Sequence, residues 1–282
     1  MTGPIRQLEE GTERIGAGQF DHRIEIRSGD ELERLASRFN QMAKELALSQ
    51  ERSERIGRLR RFLAPQVAEL VERAGDDSVL AGQRALVVAV FCDLRGFTAL
   101  SAQAGPEQVM AILHDYYAVL GRAVTRHEAT LISFAGDGMM VLVNAPVPMP
   151  DPAYRALAMA IDMQAAIQPL IAGWRAGGYR IGFGIGLAMG HATVGQIGTA
   201  SRVEYTAIGN VVNLAARLCE AAGDGQILMD RTMAMAIGSR LPLTPLGARP
   251  LKGYEQQVTI YDAGVGIRPE TTSASGPEDA GK

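Results

Sequence analysis

Two acidic residues in this 282-residue chain stand where an apolar run meets a turn. They are Asp93 in Phe91-Cys92-Asp93-Leu94-Arg95-Gly96-Phe97-Thr98 and Asp137 in Phe134-Ala135-Gly136-Asp137-Gly138. A carboxylate at the end of a buried strand is costly unless a partner neutralises it, and two on adjacent strands can share divalent ions. In phosphoryl chemistry, two metals about 3.5–4 Å apart activate the attacking oxygen and hold the charge of the leaving phosphates. Magnesium suits this, because it takes one or two carboxylates and lets substrate phosphates fill the remaining positions. Taken singly, Asp-Gly in a hairpin is more often a turn signal than a catalytic one.

A second constellation strengthens the first. In the run Tyr205-Thr206-Ala207-Ile208-Gly209-Asn210-Val211-Val212-Asn213-Leu214-Ala215-Ala216-Arg217, Asn213 and Arg217 are four apart. On a helix they share a face, so an amide and a guanidinium reach the same substrate. Arginine supplies a forked, permanent positive charge suited to phosphoryl oxygens during transfer. Alone, Arg217 reads as a surface residue of an amphipathic helix.

Positioning these groups requires alternating strands and helices between about 84 and 263. Arg84 to Cys92 is a β-branched apolar run, followed by helical patterning from Pro106 to about His127. Thr130 to Phe134 and Met139 to Val143 read as strands joined by a tight Ala135-Gly136-Asp137-Gly138 turn. A helix from Asp151 to Trp174, a strand from Tyr179 to Met189, a strand from Val203 to Ile208 and a helix from Asn210 to Ala221 are expected next. Shorter strands near Ile227 and from Val258 to Tyr261 complete the pattern. That order predicts an α+β fold with a ferredoxin-like sheet.

The first fifty residues differ. Ile5, Leu8, Thr12 and Ile15 step by three and four, as do Leu32, Leu35, Phe39, Met42 and Leu46 after a break at Gly16, Gly18 and Ser28-Gly29. This is the seam of a coiled coil. A single apolar stripe on each helix predicts a second chain and a four-helix bundle. Residues 49–62 read as a connecting helix closed by Pro65. The stretch from Gly264 to Lys282 has almost no apolar content and is expected to be disordered.

Composition sets the outer limits. A net charge of −3 and a pI near 5.9 argue against a nucleic-acid partner, which demands a basic excess. Cys92 and Cys219 lack metal-site spacing and fit a reducing cytosol. No uninterrupted apolar run of about 18 residues suggests a membrane span, and the chain as given is expected to be soluble.

Residues 3–48, with Pro4, Gly18, Phe20, Asp30-Glu31 and Phe39-Asn40-Gln41-Met42, resemble a HAMP relay domain. Such domains normally follow a transmembrane helix, so the resemblance implies an upstream membrane-spanning sensor outside this chain. The Asp93 and Asp137 segments, together with the Tyr205 to Arg217 run, resemble the class III nucleotide cyclases. That resemblance extends from Arg61-Phe62-Leu63-Ala64-Pro65-Gln66 through Leu251-Lys252-Gly253 to Tyr261. It implies two Mg2+ or Mn2+ ions at Asp93, Leu94 and Asp137, and Asn213 and Arg217 acting on the ribose and phosphates. Substrate contacts are implied for Phe97, Thr98, Ser133, Thr206, Ala207, Lys252 and Arg202. It also implies a head-to-tail homodimer in which each site draws its metal aspartates from one subunit and its Asn/Arg pair from the other.

The expected organisation is thus a HAMP domain over 1–48, a connecting helix over 49–64, a cyclase catalytic domain over 65–263 and a tail over 264–282. Adenylyl-type relatives read the base with a lysine four residues before the second aspartate and an aspartate after the Tyr of the third motif. Ser133 and Thr206 stand there instead, and the guanylyl pattern of Glu with a small residue or Cys is absent too. ATP is expected from frequency within the family, with GTP and relaxed specificity left open. A catalytically silent nucleotide-binding module is the main alternative. A diguanylate cyclase lacks its Gly-Gly-acid-acid-Phe turn here, and a purely structural receptor adaptor leaves the three motifs as coincidence.

Overall fold

The computed structural model describes residues 2–60, 67, 72–73, 80–199 and 202–264. The expected close of the connecting helix at Pro65 and the expected disorder of 265–282 lie outside the described residues. The chain divides into two compact units, one formed by Met1–Leu63 and Val71–Val79, the other by Ala64–Leu70 and Leu80–Lys282.

The first unit holds helices α1 (Thr2–Gly16) and α2 (Glu31–Arg60) joined by an extended connector. Left-handed Gly18 (φ 84°) and Gly29 (φ 72°) turn the chain at the two ends of that connector. Asp30 caps α2 by accepting from the Leu32 N–H at 2.9 Å, and Glu33 reaches back to the Gly29 N–H at 2.8 Å. Asn40 ties the connector down. Its Oδ1 accepts from the Ile24 N–H at 2.9 Å and its Nδ2 donates to the Ile24 carbonyl at 3.0 Å. A Cβ at Gly11 would strike the Ile24 side chain, so that glycine admits the connector against α1.

Leu8, Ile24, Ile26 and Ala36 form the small core, with Leu32 and Phe39 against it. Leu35, Met42 and Leu46 of the expected seam stay exposed within the single chain. The sequence reading separated α2 from a connecting helix, whereas α2 runs without a break through residue 48 to Arg60. No proline stands between Leu46 and Arg60, and the single glycine there, Gly57, is tolerated within the helix.

The second unit is built on one sheet whose described strands are β1 (Gln83–Arg95), β2 (Thr130–Ala135), β3 (Gly138–Val143), β4 (Gly182–Thr199), β5 (Arg202–Ile208), β6 (Ile227–Asp230), β7 (Thr244–Arg249) and β8 (Val258–Asp262). Their order is β2-β3-β1-β4-β6-β8-β7, with β5 paired to β4. Helices α3 (Phe97–Gln103) and α4 (Pro106–Arg126) follow β1, and α5 (Pro152–Ala176) follows β3. Helix α6 (Asn210–Ala221) follows β5, and α7 (Arg231–Ile237) follows β6. The β1-helix-β2-β3-helix-β4 series, with spatial order β4-β1-β3-β2, is the ferredoxin-like arrangement expected.

Strand alternation sorts β1 into two faces. Val88, Val90, Cys92 and Leu94 enter the main core with Tyr116 and Leu120 of α4 and Leu157, Met163 and Ile167 of α5. Asp93 and Arg95 therefore fall on the opposite face. Helix α5 is long and apolar enough to cross a membrane by composition, but it supplies ten buried residues to the unit, so its apolarity is that of a core helix.

Four elements depart from expectation, the first being α3 (Phe97–Gln103), which precedes the helix expected from Pro106. Strand β4 runs to Thr199 instead of ending at Met189, because its glycine-rich second half is held by β5 in an antiparallel ladder from Thr193↔Ile208 to Thr199↔Arg202. Helix α7 was missed although Asp230 caps it, accepting from the N–H groups of Thr232 and Met233 at 3.2 and 3.1 Å. Strand β7 was missed because Pro245 and Gly247 obscure its pattern, and the register shifts between those two residues.

Candidate active site

The hairpin that carries Asp137 forms because Gly136 takes a left-handed φ of 64° between two strands in antiparallel register, Ala135↔Gly138 and Phe134↔Met139. Tyr117 of α4 stiffens it, donating its hydroxyl to the Gly136 carbonyl while its ring packs on Phe134 with centroids 4.2 Å apart. β3 pairs with β1 through Met139↔Cys92, which brings the tip of the hairpin beside Asp93.

The two carboxyl groups meet there. Burial first, and then the neighbouring Asp93 carboxylate, push the Asp137 carboxyl up to about 7, while the Leu94 N–H opposes the shift. Oδ1 of Asp93 is buried with no hydrogen-bond partner. Leu94 turns its own side chain into the core, so its backbone is what it offers the site. Phe97 likewise packs on the core, and Thr98 is exposed at the start of α3.

Arg95, quoted in the sequence only as part of its motif, supplies the nearest positive charge, with Nη1 3.8 Å from Asp93 Oδ2. Its Nη2 donates to the Cys219 carbonyl at 2.6 Å, at the end of α6. That carbonyl also accepts from the Ala222 N–H at 3.1 Å, so the guanidinium adds a cation at the negative end of the helix. The guanidinium fits because residue 184 is glycine; a Cβ there would stand 2.8 Å from Arg95 Nε. Period-two alternation from Asp93 is the signal that could have singled it out.

A second group gathers on α6 and the turn after β7. Arg217 pairs with Glu220 at 2.7 Å, and Glu220 is held below the ordinary carboxylate range chiefly by that bond, with a smaller contribution from Lys252. Tyr254 donates its hydroxyl to Asn210 Oδ1 at 2.8 Å, fixing the Lys252 turn to the start of α6. Asn213 is exposed one turn before Arg217. Tyr254 was not foreseen, since its partner is 44 residues away. Helix α6 reaches the sheet because residue 186 is glycine: a Cβ there would collide with the backbone of Ala215 and Cys219.

Ser133 and Thr206 are both half-buried, on β2 and β5, and these two strands touch. Ala207 buries its side chain opposite Val194. Arg202 opens β5 opposite Thr199, and its side chain lies outside the described residues. Among the described residues, no hydrogen bond or ion pair joins Asp93 or Asp137 to Asn213, Arg217 or Lys252. The structure thus holds two separate groups of candidate residues, with Arg95 spanning from the carboxylates to α6.

Comparison with known proteins agrees with this architecture. The family model for the adenylate and guanylate cyclase catalytic domain matches residues 80–262, and that for the HAMP domain matches residues 1–47. An adenylate cyclase of Anabaena cylindrica is 28% identical over 277 residues, covering 93% of this chain and 54% of its own length. The crystal structure of the adenylyl cyclase CyaB from P. aeruginosa superposes with a TM-score of 0.64 at 31% identity, over 67% of this chain and 99% of that one. The guanylyl cyclase Cya2 gives a TM-score of 0.60 at 35% identity, over 66% of this chain and 95% of that one. The chain spans between about a third and about half the length of the first curated relatives it matches. By the extent of the catalytic-domain match, and on the fold and the two groups of candidate residues described above, the chain belongs to the class III adenylate and guanylate cyclases, with a HAMP domain preceding the catalytic domain in sequence.

Proposed function

We propose that this chain is an adenylate cyclase, converting ATP to 3′,5′-cyclic AMP and diphosphate as a homodimer under HAMP control. The observation that carries the reading is the meeting of Asp93 and Asp137 with a buried, unpartnered Asp93 oxygen. That donor set fits divalent cations of the Mg2+ or Mn2+ class. Among the described residues no cluster of three or more His, Cys, Asp or Glu offers an all-protein cage, which suits ions completed by substrate phosphates. Two such ions, when bound, activate the attacking oxygen and stabilise charge on the leaving group.

The chain's own residues do the rest. Asp93 and Asp137 hold the cations, with the Leu94 backbone beside them. Asn213 orients the ribose whose 3′ oxygen attacks the α-phosphorus. Arg217 neutralises the phosphoryl oxygens as the bond to the bridging oxygen breaks and diphosphate leaves. Lys252 holds the outer phosphates, with Arg202 as a further candidate, and Phe97 and Thr98 line the approach to the metal loop. Ser133, Thr206 and Ala207 face the base. Each site takes its carboxylates from one subunit and Asn213 and Arg217 from the other, consistent with the absence of a direct bond between the half-sites in one chain. Exposed Phe134, Ile197 and Ile208 supply apolar surface for that association, and Leu35, Met42 and Leu46 supply it in the HAMP unit.

The domain limits we assign are 1–48 for HAMP, 49–64 for the connection and 65–263 for the catalytic domain. The HAMP domain supports a place on the cytoplasmic side of the bacterial inner membrane in a longer protein, below a transmembrane sensor. A guanylate cyclase or a purine nucleotide cyclase of relaxed specificity is the second reading, the first favoured by the likeness to Cya2 and the second by two small hydroxyls at the base-reading positions. Turnover of ATP and GTP measured in parallel with Mn2+ tests the proposal. Cyclic AMP should form in the wild type and not in Asp93→Ala. Binding of ATP without cyclisation by the wild type would make the domain a silent nucleotide sensor.

A further inference from the structure

An open cavity of about 530 Å³ is lined by Arg95, Gly96, Arg175, Tyr179, Arg180 and Asp224, among others. Three guanidinium groups line it with one carboxylate, Asp224, and a second carboxylate, Asp93, lies 3.8 Å from Arg95. Two of the three are fixed at one edge. Arg95 is anchored through Nη2 to the Cys219 carbonyl, and Arg175 through Nε to the Ile181 carbonyl at 2.8 Å and through Nη2 to Asp224. Among the described residues Arg175 keeps Nη1 without a hydrogen bond, whereas Nη1 of Arg95 faces Asp93 Oδ2 at 3.8 Å. Arg180 is exposed and makes no hydrogen bond or ion pair through its side chain among the described residues. Fixed guanidiniums with donors left over are the feature that planar or tetrahedral oxyanions select, and pre-anchoring lowers the entropy lost on binding.

The cavity is also joined to the metal loop. Gly96 holds a left-handed φ of 81°, and a Cβ there would run into the Arg180 carbonyl. The wall bearing Arg180 therefore packs directly on the turn leading from Asp93 to Phe97 and Thr98.

We propose that this cavity is a binding site for a small, multiply charged oxyanion, gripped by Arg180 and the free edge of Arg175 with the charge of Arg95 beside them, and separate from the Arg217 and Lys252 cluster. Inorganic phosphate and citrate are the two probes, distinguishing a phosphate from a carboxylate ligand. Isothermal titration of the purified chain in metal-free buffer should show saturable uptake of at least one. Arg180→Glu should weaken that uptake by about tenfold or more, a loss of about 1.4 kcal/mol, and Arg217→Ala should leave it unchanged. Arg180→Ala serves as a milder second variant should charge reversal perturb folding, which circular dichroism reports. No saturable uptake of either probe overturns the proposal. So does uptake that survives both Arg180 variants, or that disappears with Arg217→Ala. None of these readings depends on turnover, so the site stands or falls independently of the cyclase assignment.

Discussion

The Asp137 carboxyl lies against that of Asp93, in a corner where Asp93 Oδ1 has no hydrogen-bond partner. Two like charges at close range cannot both ionise cheaply, so the pair retains a proton that an isolated aspartate would have lost. A cation between them removes the conflict, and its binding displaces that proton.

The pH dependence follows from the sign of this shift. Asp137 has a folded value of about 7 against an ordinary 3.8. The stability it represents is fully present below the ordinary value and is lost as pH rises through the folded one. In EDTA, the unfolding midpoint of the wild type relative to Asp137→Asn should therefore fall between about pH 4 and pH 7. Saturating Mn2+ should reverse the order of the two proteins. A difference independent of pH in EDTA would contradict the contact between the carboxyls.

Asp93→Ala and Arg217→Ala should each lose at least about a hundredfold in turnover, as expected for groups that act on developing charge. Mixed in equal amounts, the two inactive variants should recover up to about a quarter of wild-type activity. Half the dimers are then mixed, and each mixed dimer has one intact site of two. No recovery would mean that the carboxylates and Arg217 serve the same site within one chain.

Base choice should be weak in the wild type, because Ser133 and Thr206 are only half-buried. Ser133→Lys with Thr206→Asp should raise the ATP-to-GTP ratio of kcat/KM by about tenfold or more, as unpaired buried polar groups penalise the wrong base. An unchanged ratio would remove these two strands from the base pocket.

Gly186→Ala tests how α6 is seated. Its new methyl group collides with the backbone of Ala215 and Cys219, so folding stability should drop by about 1–3 kcal/mol. Chemical denaturation reads that loss directly. Gly173→Ala, on α5 with open space at its Cβ, should show no such penalty.

Much of this site was legible along the chain. Asp93 and Asp137 stood out because a carboxylate beside an apolar run contradicts its surroundings, and Asn213 and Arg217 because helical spacing is local. Tyr117 and Tyr254 were not legible, since each acts on an atom far away in sequence, the Gly136 carbonyl and the Asn210 side chain, and of Arg95 only the strand face was legible, not the bond to the Cys219 carbonyl. Similarly, α7 and β7 were hidden by short lengths and by Pro245 and Gly247, which only pairing with β8 overrides.

By itself the sequence determined the order of the longer strands and helices, the chemical types at the candidate site and the apolar stripes of the N-terminal helices, because propensity, periodicity and turn chemistry act over a few residues. Tertiary structure alone decided which groups face each other. Strand register brought Asp137 to Asp93, the missing side chains at Gly184 and Gly186 let Arg95 and α6 close on β4, and the same closure left Asn213 and Arg217 without a bond to the carboxylates. Those outcomes depend on excluded volume between segments far apart in the chain, which no local pattern encodes.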